Sequence, residues 1–198
     1  MPKNLYEKYE EIIDSIVDLK GFTKYKGKVA NELLRLEIKE FLDKEGYPLE
    51  VSEINSYIQN SKYEYDLLLV KKGATSSPNF AYNPSDVVCV IECKLNGLYD
   101  IQKNTDSIAE AFNTVGAINH KIVFGYITFS EVVPKNYFNK DGKPTIKYWD
   151  ATQTNLAAKI HGENDYFAVT LRTGKTVVKR TTTNDFENFL KKLLYKSI

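Results

Sequence analysis

Three charged residues sit where the surrounding sequence calls for none. Tyr65-Asp66-Leu67-Leu68-Leu69-Val70 and Val87-Val88-Cys89-Val90-Ile91-Glu92-Cys93-Lys94 are short runs rich in leucine and β-branched residues, the composition of core strands. A strand alternates its faces with period two, so Glu92 and Lys94 project from one face about 6–7 Å apart, at roughly 3.3 Å per residue. Cys93 then points the other way. A carboxylate and an ammonium at the end of an apolar run lose hydration unless a metal, a partner ion or an anionic substrate compensates them. The alternative use of the same residues is a strand-end ion pair, with Asp66 as a turn residue. Three such charges on neighbouring strands point to chemistry.

The remaining reactive side chains exclude other chemistries. Cys89 and Cys93 lie four residues apart in one proposed strand, which puts their Cα atoms about 13 Å apart, beyond the roughly 7 Å that a disulfide spans. With His120 and His161 they form no familiar four-ligand zinc spacing. The chain has 198 residues, 42% hydrophobic and 13% aromatic, enough for a single domain with a substantial core. Its 14 tyrosines exceed what a core needs, so some should line a surface or groove. The net charge of +1 gives no global electrostatic case for nucleic acid, and any anion-binding surface must be local. One local excess exists: Lys175, Lys179, Arg180, Lys191, Lys192 and Lys196 face only Asp185 and Glu187. That stretch is either a solvated face or a nucleic-acid-binding surface, with Lys175, Lys179 and Arg180 as its candidate contacts. Met1-Pro2-Lys3-Asn4 lacks an apolar signal core and no segment approaches membrane-spanning length, so the expectation is a cytoplasmic protein with no membrane partner.

The elements that must position the charged trio follow from periodicity and punctuation. Helical spacing of Ile12, Ile13, Ile16, Val17 and Leu19 predicts a helix over Leu5–Leu19, broken by Gly21 to Gly27. A second helix is predicted from about Lys28 to Asp43, stopped by Gly46-Tyr47-Pro48. Strands are expected at Tyr63–Lys71 and Asp86–Leu95, separated by a polar loop. A helix over about Asp100–Ile118, a strand at Lys121–Phe129 and a further strand at Thr145–Trp149 come next. Tyr166–Leu171 and Thr176–Thr181 around Arg172-Thr173-Gly174-Lys175 read as a hairpin. A last helix starts near Asn184, with Glu187 completing a capping box. The helix between Asp86–Leu95 and Lys121–Phe129 permits a right-handed crossover and so a parallel pair, whereas Tyr63–Lys71 and Asp86–Leu95 should be antiparallel. The fold class is α/β, a mixed central sheet flanked by helices, with a core over about residues 26–130 and a C-terminal hairpin and helix over about 145–198.

An aspartate on one strand, Glu-x-Lys ending the next, a preceding helix with a glutamate and a following helix together resemble the PD-(D/E)XK phosphodiesterase superfamily, which includes restriction endonucleases and Holliday junction resolvases. The matching positions are Asp66, Glu92 and Lys94, with Lys26-Gly27 followed by Glu32 resembling the Lys-Gly and helix glutamate of the resolvases. Tyr65 stands where the motif has proline. The resemblance implies a restriction-endonuclease-like core and a metal-dependent endonuclease acting on DNA, of restriction, repair or phage-defence type; a module that keeps the fold and binds nucleic acid without cutting is the alternative. It implies Mg²⁺, with Mn²⁺ as a substitute, held by Asp66, Glu92 and the backbone carbonyl of Cys93. Lys94 would position or deprotonate the attacking water, or stabilise transition-state charge. It also implies a homodimer or a component of a larger defence or repair assembly. For the helix carboxylate, motif position favours Glu32, while an acidic residue inside an apolar stripe favours Glu37.

Overall fold

A computed structural model describes residues 5–15, 23–130, 158–159, 166–171 and 183–195. In chain order the elements are α1 (Leu5–Ser15), α2 (Thr23–Glu45), β1 (Leu49–Val51), β2 (Ser56–Ile58), β3 (Glu64–Tyr65), β4 (Leu67–Lys71), β5 (Ala81–Tyr82), β6 (Val87–Asn96), α3 (Gly97–Ile118), β7 (Val123–Ser130), β8 (Tyr166–Thr170) and α4 (Thr183–Tyr195). The principal sheet has the order β1-β4-β6-β7-β8. β4 runs antiparallel to both β1 and β6, and β7 runs parallel to β6 and β8. This is the mixed sheet expected from the sequence, with α3 as the crossover between the parallel strands β6 and β7.

Strand alternation decides what each face buries. Leu67, Leu69, Cys89, Ile91, Cys93 and Ile127 pack with α1, α2 and α4 in one core. Leu68, Val70, Val90, Phe124 and Tyr126 pack with α3 in the other, where Phe112 stacks on Phe124 with ring centroids 4.5 Å apart. Helix α2 meets the sheet through Ala30, Leu34, Ile38, Phe41 and Leu42, a stripe at helical spacing. Leu36, apolar but off this stripe, is 50% exposed.

Three expectations need correction. Helix α2 begins at Thr23 and runs through Gly27, where nothing crowds the missing side chain; a single glycine costs a helix only about 1 kcal/mol. The expected strand Tyr63–Lys71 is two strands. β3 pairs with β2, which in turn pairs with β5, in a small separate sheet, and the chain enters the principal sheet only at Leu67. Asp66 is the residue at this change of sheet. Helix α3 begins at Gly97 directly after β6. The expected strand at Tyr166–Leu171 is present as Tyr166–Thr170 and extends the principal sheet beside β7. The expected strand Thr145–Trp149, the second hairpin arm Thr176–Thr181, and Lys175, Lys179 and Arg180 lie outside the described residues.

Candidate active site at the end of β6

Strand β6 outlasts its antiparallel neighbour. β4 begins at Leu67, opposite Ile91, so from Glu92 onward β6 is paired only with β7 and its other edge is uncovered by β4. Continuing the register would set Asp66 opposite Glu92. The backbone of Asp66 is held at this corner by its neighbours. The Asn55 N–H, on a residue with φ of 60°, donates to the Asp66 carbonyl at 3.1 Å. Two residues on, the buried Ser52 hydroxyl accepts from the Leu68 N–H at 2.9 Å.

The edge that β4 vacates receives the Asp66 side chain instead. The Cys93 N–H donates to Asp66 Oδ2 at 2.8 Å, replacing a ladder hydrogen bond. In an extended strand a residue's N–H and C=O face the same edge, so the Cys93 carbonyl also faces the Asp66 side. Its thiol is buried on the opposite face, and burial pushes the thiol pKa up, which leaves the backbone as the part of Cys93 that faces the site.

Lys94 joins the two carboxylates. Its ammonium is paired with Glu92 and lies 3.7 Å from Asp66 Oδ2. Side-chain exposures of 16% for Glu92, 20% for Asp66 and 24% for Lys94 describe a recess open to solvent on one side. Burial, followed by the Asp66 charge, pushes the Glu92 carboxyl up to about 7, and the ion pair with Lys94 offsets only part of this. Burial would lower the Lys94 pKa, but the attraction of Glu92 and Asp66 outweighs it and raises it, so Lys94 is an ammonium. The corner thus carries more negative charge than one lysine compensates.

That donor set suits a hard cation. Two carboxylates and one facing carbonyl are oxygen donors, the ligand type that a hard divalent cation takes. Among the described residues no group of three or more His, Cys, Asp or Glu side chains is disposed to hold a metal ion, so any cation here would rest on two carboxylates and the backbone.

The helix carboxylates are engaged elsewhere. Glu32 forms a two-pronged pair with Arg35, at 2.8 Å to Nε and 2.7 Å to Nη2, and this hydrogen bonding lowers its pKa. Glu37 pairs with Lys8 of α1. The α2 side chain that reaches the site is Asn31, whose Nδ2 donates to Asp66 Oδ1 at 3.0 Å. The sequence does carry a signal for it. Asn31 lies three and seven residues before Leu34 and Ile38, so it is the polar member of the true buried stripe.

No family model matches the chain, and no curated protein does. Among solved structures the chain is similar to P. aeruginosa ATCC27853 NucC in its cAAA-bound form, with a TM-score of 0.57 and 13% identity over 97% of this chain and 87% of that one. E. coli MS115-1 NucC, also cAAA-bound, aligns with a TM-score of 0.45 and 12% identity over 64% of this chain and 60% of that one. The first likeness establishes the fold, a restriction-endonuclease-like mixed sheet flanked by helices.

Proposed function

We propose that the chain is a metal-dependent endonuclease that hydrolyses phosphodiester bonds in DNA, of restriction, repair or phage-defence type. The observation that carries this reading is the meeting of Asp66, Glu92 and Lys94 at the uncovered edge of β6, with Lys94 3.7 Å from Asp66 and paired to Glu92. The fold shared with NucC supports it. Asp66, Glu92 and the Cys93 carbonyl would hold Mg²⁺, which when bound neutralises charge on the phosphate and acidifies a water. Asp66 and Glu92 also keep Lys94 cationic, which suits it to hold a phosphate oxygen or the attacking water and to stabilise charge that grows in the transition state. Glu32, tied to Arg35, is left to shape the helix rim. Lys175, Lys179 and Arg180 are assigned to the DNA backbone on charge alone. A homodimer, or a larger defence or repair assembly, would bring two such sites to two strands.

The test is cleavage of plasmid, linear duplex, single-stranded and junction DNA in Mg²⁺, in Mn²⁺ and in EDTA. Cutting is expected with either metal and none with EDTA, and Lys94→Ala should lower the rate by about 10²–10³-fold. A parent chain that binds these DNAs yet cuts none of them with either metal would be a non-cleaving binding module.

A further inference from the structure

We infer that Asn31 is a positioning residue for this site, its amide fixing the Asp66 carboxylate in the orientation that a divalent cation requires. The inference rests on the nuclease reading above. Asn31 is 8% exposed, one of the few polar side chains buried among the described residues. A buried carboxamide without a partner costs about 1–3 kcal/mol, so its placement on the packed stripe of α2 calls for a reason. The reason is its Nδ2, 3.0 Å from Asp66 Oδ1. The sense of the amide is set by chemistry, because an ionised carboxylate only accepts.

With the Cys93 N–H on Oδ2 at 2.8 Å, each Asp66 oxygen accepts one hydrogen bond, and the two donors come from different elements, α2 and β6. Rotation of the carboxylate about its bond to Cβ would break both. Each oxygen can accept more than one hydrogen bond, so each keeps a lone pair for a cation. The backbone of Asp66 is fixed separately by Asn55. Asn31 therefore controls what the backbone cannot, the rotation of the side chain. The neighbouring carboxylate on the helix, Glu32, takes no part in this, being committed to Arg35. At this corner the helix supplies a donor to a metal-binding carboxylate. Partners of this kind commonly contribute about 10–100-fold to metal affinity or activity.

The experiment uses the full chain with Asn31→Ala and Asn31→Asp. Mn²⁺ binding is measured by titration calorimetry, and plasmid cleavage is resolved into kcat and KM. N31A should weaken Mn²⁺ binding by about 10–100-fold and lower kcat, with KM for DNA unchanged. N31D keeps the volume but replaces the donor with a second carboxylate against Asp66, so its kcat at saturating Mn²⁺ should fall as well. A purely structural asparagine would move the thermal midpoint and neither of these. The inference is overturned if both variants keep the parent's Mn²⁺ affinity and kcat, or if N31A is lost to unfolding while N31D behaves as the parent. In both cases the parent still binds Mn²⁺ and cuts. A parent that neither binds Mn²⁺ nor cuts overturns the nuclease reading, and this inference with it.

Discussion

Two clusters of charge flank helix α2, and they differ in how the fold treats them. Between α1, α2 and α4 the side chains of Lys8, Glu37, Glu40, Lys44 and Glu187 line a groove over Phe41, Phe186 and Leu190. Lys8 pairs with Glu37, and Lys44 stands 3.9 Å from Glu187 with 64% and 37% of their side chains exposed. Two lysines and three glutamates meet there at more exposed positions, each lysine with a glutamate of its own. At the end of β6, Asp66 and Glu92 share one lysine in a recess, and Glu92 is forced towards its neutral form. The first arrangement is what a helix surface does at little cost. The second holds Glu92 against the cost of its burial, which is what makes this corner the candidate functional site.

Glutamine at position 92 gives the largest effect expected and separates cost from use. With Glu92→Gln, cleavage should fall by about 10²–10³-fold or more, because a proposed metal ligand is gone. Stability should move the opposite way. The raised pKa means that the native chain binds this proton more tightly than the unfolded one. Between the ordinary value of 4.5 and about 7 the native state therefore holds more protons, and stability falls as the pH rises through that window. The neutral variant lacks this loss. In EDTA its thermal midpoint should exceed the parent's at pH 8, and the gap should close towards pH 5, where the parent's Glu92 is already protonated. A lower midpoint at pH 8 would mean that the Lys94 pair outweighs burial, and the contrast between the two clusters would fail.

Gly125 probes the helical side. It lies on β7 beneath α4, and a Cβ there would sit 3.2 Å from Phe189 Cζ, 3.3 Å from Leu193 Cδ1 and 3.4 Å from Ile91 Cγ1. The absent side chain lets the helix close onto the sheet. Gly125→Ala should cost about 1–3 kcal/mol in denaturant unfolding, the usual penalty of overpacking. Activity per folded molecule should be preserved, because α4 leans on the face of β6 that carries Ile91 and Cys93, away from Glu92 and Lys94. Equal losses of activity and stability would show that the two regions are not separable.

Much of this division can be seen in the sequence, and the parts that cannot have physical reasons. The apolar runs of β4 and β6, the α3 crossover and the shared face of Glu92 and Lys94 all follow from strand alternation and from the need to connect parallel strands. β1, β2 and β5 are two or three residues long, too short to show a period. The switch of sheets at Asp66 is hidden because Glu64 and Tyr65 continue the same alternation. Glu32 and Glu37 attract attention because carboxylates are familiar ligands, yet a helix face is set by which apolar residues are really buried. Leu36 is among the exposed ones, and with Ala30, Leu34 and Ile38 defining the stripe, Asn31 falls on it.

The smallest expected effect lies in the helical groove. Lys44→Ala removes one partner of a pair separated by 3.9 Å whose lysine is 64% exposed. Each charge keeps its hydration when the other leaves, and ordering two long side chains offsets most of the attraction, so the stability change should be about 0–1 kcal/mol and smaller still in high salt. Lys8→Ala should behave similarly, somewhat nearer the upper end, because Glu37 is the less exposed partner at 24%. Denaturant unfolding at low and high salt measures both, beside a cleavage assay in which neither variant should differ from the parent. A loss of cleavage without a loss of stability would give the groove a role in the reaction, and the comparison between the two clusters would then have to be redrawn around α2 itself.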